Sequence, residues 1–289
     1  MEHKQLRWSL LLGLALVWGS SFILMKLSLQ GLTAVQVGAL RMIISAFFLL
    51  IIGFNKLKLI HKRHWKYIFL NAVLGTFFPV FLFAFAVQHI DSGIVAILNS
   101  LTPLNTLILG FFFFGFLFKR KQILGVVIGM VGTVFLITQS ATLNPDDNYW
   151  FALTVIVASL GYAFNVNILK KYLADLDATA IAVGNFVLVL IPAFAVLIST
   201  GFFKQDILTA PVLPAIGYMS ILAVVGTGLA KIFFNRLVQI SSPVFASSVT
   251  YLIPVVALIW GVLDNEQIHL SQIFAGLLIL FGVYLVNKK

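Results

Sequence analysis

The sequence predicts an all-α integral membrane protein with ten transmembrane helices arranged as two inverted five-helix repeats. Three observations predict it: an apolar composition, basic residues confined to alternate loops, and a chain that repeats itself. The 289 residues are 61% hydrophobic and 10% charged, with a mean hydropathy of +1.07. A soluble globular chain carries about 25% charge, so a compact body of this composition could not cover itself with polar groups. A disordered chain would instead be poor in apolar residues.

A spanning helix takes about 20 mostly apolar residues. Such runs fall at 8–29, 35–53, 67–87, 92–116 and 123–138, then at 149–169, 179–200, 212–235, 243–263 and 272–286. The fifth and tenth are the shortest. The first is too long for a secretory signal, whose apolar region is about 7–15 residues, and reads as a retained span. Short loops leave no room for a soluble catalytic domain. The absence of cysteine excludes disulfides, thiol catalysis and thiolate metal sites.

The basic residues test this span count. With the N-terminus placed in the cytoplasm, the cytoplasmic segments hold Lys4, Arg7, Lys56, Lys58, Lys62, Arg63, Lys66, Lys119, Arg120, Lys121, Lys170, Lys171, Arg236, Lys288 and Lys289. The opposite side holds only Lys204, and Lys26, Arg41 and Lys231 lie inside spans. This is the positive-inside pattern, with both termini cytoplasmic. It accounts for the net charge of +10 without a nucleic-acid partner, since no basic face or recognition module accompanies it. Asp146, Asp147, Asp206, Asp264 and Glu266 fall in the external loops, and Asp91 borders a span.

Gly75-Thr76, Val87-Gln88, Pro103 and Gly110 recur as Gly226-Thr227, Val238-Gln239, Pro254 and Gly261, each 151 residues on. Nearer the start of each half the offset is 144: Leu32-Thr33-Ala34 meets Leu176-Asp177-Ala178, and Lys26 meets Lys170. Each half, 1–143 and 144–289, has five spans, an odd number, so the second must run inverted. Inverted repeats mark secondary transporters, because two similar halves of opposite orientation give two states of similar energy.

The Trp18-Gly19-Ser20-Ser21-Phe22 stretch with Lys26, Arg41 in the second span, and the Pro103 and Pro254 spans each followed by a Gly-bearing span resemble the drug/metabolite transporter superfamily, specifically its EamA-type members. The resemblance covers essentially the whole chain. It implies ten helices in an inverted repeat, a central cavity among the first, third, fourth, sixth, eighth and ninth spans, and export of amino acids, other metabolites or toxic compounds. One departure stands out: the second half keeps an acidic residue after its proline span, Glu266, where the first half has residues 116–121 without one.

Residues at i, i+3, i+4 and i+7 share a helix face. The fourth span carries Ser92, Ala96, Asn99, Thr102, Pro103, Thr106 and Gly110 on one face; the ninth carries Pro243, Ser247, Thr250, Pro254, Ala257 and Gly261. A small polar stripe avoids lipid and faces either another helix or water. Asn99 favours water, because its amide needs partners that lipid cannot supply. Pro103 and Pro254 permit a bend. In the first span Leu14, Trp18, Ser21 and Met25 share a face and map onto Ala158, Tyr162, Asn165 and Leu169. Trp18 and Tyr162 lie mid-span, which suits a pathway better than interfacial anchoring. Tyr251 and Trp260 follow the same argument more weakly.

Charges inside spans are functional by default. Lys231, on one stripe with Thr227 and Asn235, has no carboxylate in the spans to pair with, and suits a carboxylate or phosphate substrate; the alternative is snorkelling toward Arg236. Lys26 and Arg41 read as gating or structural cations. Gly125, Gly129 and Gly132 suit close helix packing. His61 and His64 have a metal-like spacing within a basic loop, which argues against a metal. No Walker sequence, nucleophile elbow or zinc-protease motif occurs, so neither catalysis nor a cofactor is expected. The expectation is a secondary carrier of small metabolites such as amino acids, an exporter in the cytoplasmic (inner) membrane working by alternating access. The alternative is a lipid flippase or scramblase on the same fold. Whether it is a monomer or a homodimer stays open.

Overall fold

The computed structural model describes residues 2–115, 120–143, 148–264 and 269–287. Phe116, Lys119, Asp146, Asp147, Glu266, Lys288 and Lys289, which enter the sequence argument, lie outside the described residues. All regular structure among the described residues is helical. The first half contains α1 (Glu2–Ser28), α2 (Ala34–Gly53), α3 (Lys62–Ala72), α4 (Phe78–His89), α5 (Ser92–Asn99), α6 (Thr102–Phe114) and α7 (Arg120–Leu143). The second contains α8 (Ala152–Tyr172), α9 (Ala178–Ser199), α10 (Val212–Ile221), α11 (Ala230–Ile240), α12 (Pro243–Ser247), α13 (Ile253–Leu263) and α14 (Leu270–Asn287).

Seven helical segments among the described residues are long and apolar enough to cross a membrane: Gln5–Ser28, Ala34–Leu59, Lys62–His89, Ser92–Phe114, Tyr149–Tyr172, Ala178–Ser199 and Val212–Ile240. The fifth and tenth expected spans are shorter apolar helices, Ile123–Leu136 and Leu270–Gly282. The ninth is split by a 3₁₀ turn, Ser248–Tyr251. Large apolar side chains such as Ile51, Phe112, Ile191 and Leu277 stand exposed around the outside, as a lipid-facing surface requires.

Local chemistry sets the helix ends and breaks. Thr33 caps α2 with a full capping box closed by Gln36, and Asp177 caps α9 by accepting from the N–H groups of Thr179 and Ala180. These two residues occupy the same place in the two halves. The expected bends take a different form from a proline kink. The fourth span breaks at Ser100 and Leu101, and Pro103 sits in the first turn of the new helix, where its missing N–H is harmless. Pro254 likewise is the second residue of α13.

Two π-helical segments interrupt α-helix at corresponding places: Val73–Phe77 between α3 and α4, and Leu222–Leu229 between α10 and α11. Proline at position 79 explains the first, because it cannot donate to the carbonyl four residues back, that of Gly75. In the second, Ala230 donates to Val225 and Thr227 rather than to Gly226. Each segment thereby leaves a glycine carbonyl without its α-helical donor.

The packing pairs helices across the halves. α1 lies against α13 and the α10–α11 segment; α8 lies against α6 and α4 with their π segment; α2 packs on α9, and α7 on α14. The last pair meets through glycine: a Cβ on Gly282 would strike the backbone of Gly125 and Gly129, so the helices approach at backbone distance, as the Gly125/Gly129 spacing anticipated.

Candidate functional site

A cavity of about 110 Å³ lies between the halves. A water takes about 30 Å³ of the liquid, so the space suits a few waters or one small organic molecule. From the first half come Trp18, Ser21, Phe22 and Met25 on α1, Arg41 on α2, Gly75 and Thr76 on the π segment, Val80 and Phe83 on α4, Asn99 on α5 and Thr102 on α6. From the second come Tyr162, Asn165 and Val166 on α8, Phe186 on α9, Gly226 and Thr227 on the π segment, Lys231 and Phe234 on α11, then Ser247, Thr250 and Ile253. Of the sequence-derived cavity candidates, Trp18, Ser21, Asn99, Thr102, Tyr162, Asn165, Thr227, Lys231, Ser247 and Thr250 meet here. Tyr251 lies outside the lining.

The two freed glycine carbonyls are used alike. Lys231 Nζ donates to Gly75 O at 3.2 Å, and Trp18 Nε1 donates to Gly226 O at 3.0 Å. The helices opposite approach closely at the same residues. A Cβ on Gly75 would land on the Asn165 side chain, and one on Gly226 would meet Ser21 Oγ at 2.8 Å. Asn165 and Ser21 are themselves 144 residues apart.

Arg41, expected as a gating or structural cation, faces the cavity. Its Nε donates to Thr227 Oγ1 at 2.6 Å, and Thr227 in turn donates to Leu222 O at 3.2 Å. One turn further along α2, Ser45 donates to Ala223 O at 2.7 Å. A hydroxyl and a carbonyl of the second π segment therefore hold α2 in register. Lys231 points inward, bonded to Gly75 and 9% exposed, rather than snorkelling toward Arg236. Asn235, on the same stripe, is buried and donates to Ala178 O at 3.1 Å, outside the lining.

The serine and threonine hydroxyls are mostly committed to backbone carbonyls three or four residues back. Ser21 donates to Val17 O, Thr102 to Asn99 O, Thr250 to Ser247 O and Ser247 to Val244 O, at 2.8 to 3.1 Å. Asn165 exchanges amide hydrogen bonds with Asn71 across α8 and α3. Thr76 is the exception: 3% exposed, its Oγ1 has no hydrogen-bond partner among the described residues. Sequence reasoning missed Thr76, Phe83 and Phe186; the 151-residue offset from Thr227 was the signal for Thr76.

Outside the cavity, Lys26 Nζ pairs with Asp264 at 2.6 Å, linking the end of α1 to the end of α13. Its counterpart Lys170 donates instead to the carbonyls of Val238, Gln239 and Ser241, capping the C-terminus of α11. Arg63 and His64 meet Asp175 at 2.7 and 3.4 Å. Burial pushes the Asp175 carboxyl up, but hydrogen bonds from its own backbone and His64, with the charges of His64 and Arg63, outweigh it and hold the group below the usual carboxylate range. No group of three or more His, Cys, Asp or Glu among the described residues could hold a metal.

Comparison with known proteins places these observations. Residues 7–138 and again 149–288 match the model of the EamA-like transporter family. The chain is 26% identical over 300 residues to "Uncharacterized inner membrane transporter YedA" of Escherichia coli (strain K12), covering 96% of this chain and 92% of that protein. It is 25% identical over 282 residues to "Uncharacterized transporter YoaV" of Bacillus subtilis (95% and 94%), and 28% over 245 residues to "Protein PecM" of Dickeya dadantii (78% and 76%). A solved crystal structure of 14% identity shares the fold with a TM-score of 0.68, over 96% of this chain and 95% of that one.

Proposed function

The chain belongs to the EamA-like transporter family, a multi-pass membrane protein that transports small molecules, and from this premise we propose an alternating-access carrier whose substrate occupies the cavity between the halves. In this reading the seven long apolar segments, the two shorter apolar helices and the split α12–α13 segment make ten spans in two inverted repeats, 1–143 and 144–289. Both termini are cytoplasmic, and the direction is export of metabolites such as amino acids.

One observation carries the reading: the same contacts form twice around one cavity. Gly75 with Asn165 and Gly226 with Ser21 are two copies of one interface, and the family model matches each half separately. Exchanging such near-equivalent interfaces is what lets a carrier open to one side and then the other at similar energy. The π segments lie at the hinge of each interface, where glycine permits close sliding and carbonyls are bonded to side chains that can let go.

The test is solute counterflow in proteoliposomes. Vesicles preloaded with one unlabelled solute are diluted into the labelled solute, over a panel of amino acids, organic acids, phosphorylated sugars, nucleosides and cationic drugs. The proposal expects transient labelled uptake for one class, lost in Gly75→Val. Lipid scrambling with no solute counterflow would overturn it in favour of a flippase.

A further inference from the structure

We infer that the cavity recognises a small organic anion, a carboxylate or a phosphate ester attached to an apolar body, through Arg41 and Lys231. This rests on the carrier reading above and names the substrate class it leaves open.

The first ground is charge. Arg41 and Lys231 both line the cavity and are 8% and 9% exposed, yet among the described residues no aspartate or glutamate lines it. Their hydrogen-bond partners are neutral: Thr227 Oγ1 for the guanidinium and the Gly75 carbonyl for the ammonium. Arginine stays protonated in proteins. A buried cation without a counter-charge is costly, and an anionic ligand supplies the missing charge.

The second ground is that the scaffold does not need these cations. The residue at Arg41's place in the other half, 144 positions on, is Asn185, and the one at Lys231's place, 151 positions back, is Val80. Asn185 serves packing there, donating to Asn71 Oδ1 at 2.7 Å, and Val80 lines the cavity without charge. A neutral amide and an aliphatic side chain thus fill the same places in the same fold. The cations are therefore additions to one set of places rather than requirements of helix packing.

The third ground is the balance of donors. Arg41 uses one of five N–H groups and Lys231 one of three in the bonds above. Thr76 Oγ1 is unpartnered. The other serine and threonine hydroxyls of the lining have directed their single hydrogens at backbone carbonyls. Arg41, Lys231 and Thr76, together with the Tyr162 hydroxyl and the Asn99 amide, leave donors over in the lining, which suits a ligand head that only accepts. Around them Phe22, Phe83, Phe186 and Phe234 make the remaining wall apolar, so the body of the ligand is apolar.

The experiment pairs each anion with a neutral compound of the same shape on detergent-purified wild type, reading affinity by ligand-induced thermal shift, which follows mass action. The pairs are benzoate and benzamide, 3-methylbutanoate and its amide, and phenyl phosphate and its dimethyl ester, with benzylamine as the cation. The expected result is that the anion of at least one pair binds about tenfold or more tightly than its neutral partner. The carboxylate and phosphate arms show which head group the site takes. Lys231→Met and Arg41→Gln should each weaken that binding about tenfold while the neutral partner's affinity holds. Wild-type preferences alone decide the matter if a variant fails to fold. Equal or better binding of neutral or cationic members, or no anion preferred in any pair, overturns the inference. Counterflow of a neutral or cationic solute would leave the carrier reading standing while this inference falls; scrambling without counterflow would remove the carrier reading itself.

Discussion

The two walls of the cavity share a backbone and differ in chemistry. On each, a π-helical segment frees a glycine carbonyl, and a helix from the other half packs against that glycine. On one wall the carbonyl of Gly75 meets the ammonium of Lys231; on the other the carbonyl of Gly226 meets the indole of Trp18. In the carrier reading proposed above, the shared part is what two inverted repeats would keep to place two equivalent interfaces. In the same reading, the part that differs is what the ligand selects.

The largest effect should come from filling the tighter interface. Gly75→Ala puts a Cβ on the body of the Asn165 side chain, so α8 must move, and overpacking of this kind costs about 1–3 kcal/mol. Gly226→Ala meets the ends of the Ser21 and Leu222 side chains, which can turn aside, and should cost about 1 kcal/mol or less. Thermal unfolding followed by tryptophan fluorescence would rank them, and the reverse order would break the comparison. Removing the donors comes next. Trp18→Phe leaves Gly226 O unpaired, at about 1–2 kcal/mol. Lys231→Met leaves Gly75 O unpaired but also removes a buried charge, so its loss should be smaller. The same unfolding assay checks this by showing which variant melts lower.

A smaller contrast lies at the span ends, between Lys26 and Lys170, which stand 144 residues apart. Lys170 bonds three carbonyls at a helix C-terminus, and Lys170→Met should cost about 1 kcal/mol. Lys26 and Asp264 form a part-exposed ion pair, so Lys26→Met should cost less, and that loss should shrink further in high salt. Unfolding at low and high ionic strength separates the two. The smallest effect concerns Asp175. Its carboxyl sits below the usual range when folded, so its stabilisation is present above the unfolded value and lost as pH falls through the folded one. Exposure keeps it to a fraction of a kcal/mol. Wild type should therefore melt slightly above Asp175→Asn at neutral pH, and the two should converge in acid.

Much of this site was legible in the sequence because a membrane makes side-chain choice strict. Asn99, Lys231 and the stripe through Thr250 avoid lipid by solvation; that left a neighbouring helix, a wet cavity or, for Lys231, snorkelling open, and the fold sets them on the cavity. Trp18 with Tyr162, and Ser21 with Asn165, followed from the 144-residue offset. What was not legible depended on backbone geometry. Pro79 withdraws a donor from Gly75, but nothing in the string says that the helix answers with a π turn rather than a kink. Arg41 read as a cation near the end of its span, and its reach to Thr227, a residue of the second π segment, is a tertiary contact that the sequence pattern does not carry. The ninth span looked continuous, yet it breaks at Ser248–Tyr251, and Tyr251 stands outside the lining while Thr250 of the same turn stays in it.

The chain contains no cysteine, which makes one measurement direct. A single thiol placed in the lining by Thr250→Cys can be modified with two small water-soluble methanethiosulfonates of similar size and opposite charge. Their rates are compared with those for a thiol at the exposed Lys204. A solute cavity governed by Arg41 and Lys231 should admit both reagents and favour the anionic one relative to the Lys204 control, with the preference falling in Lys231→Met. A thiol that neither reagent reaches, or one that favours the cation, would contradict the account.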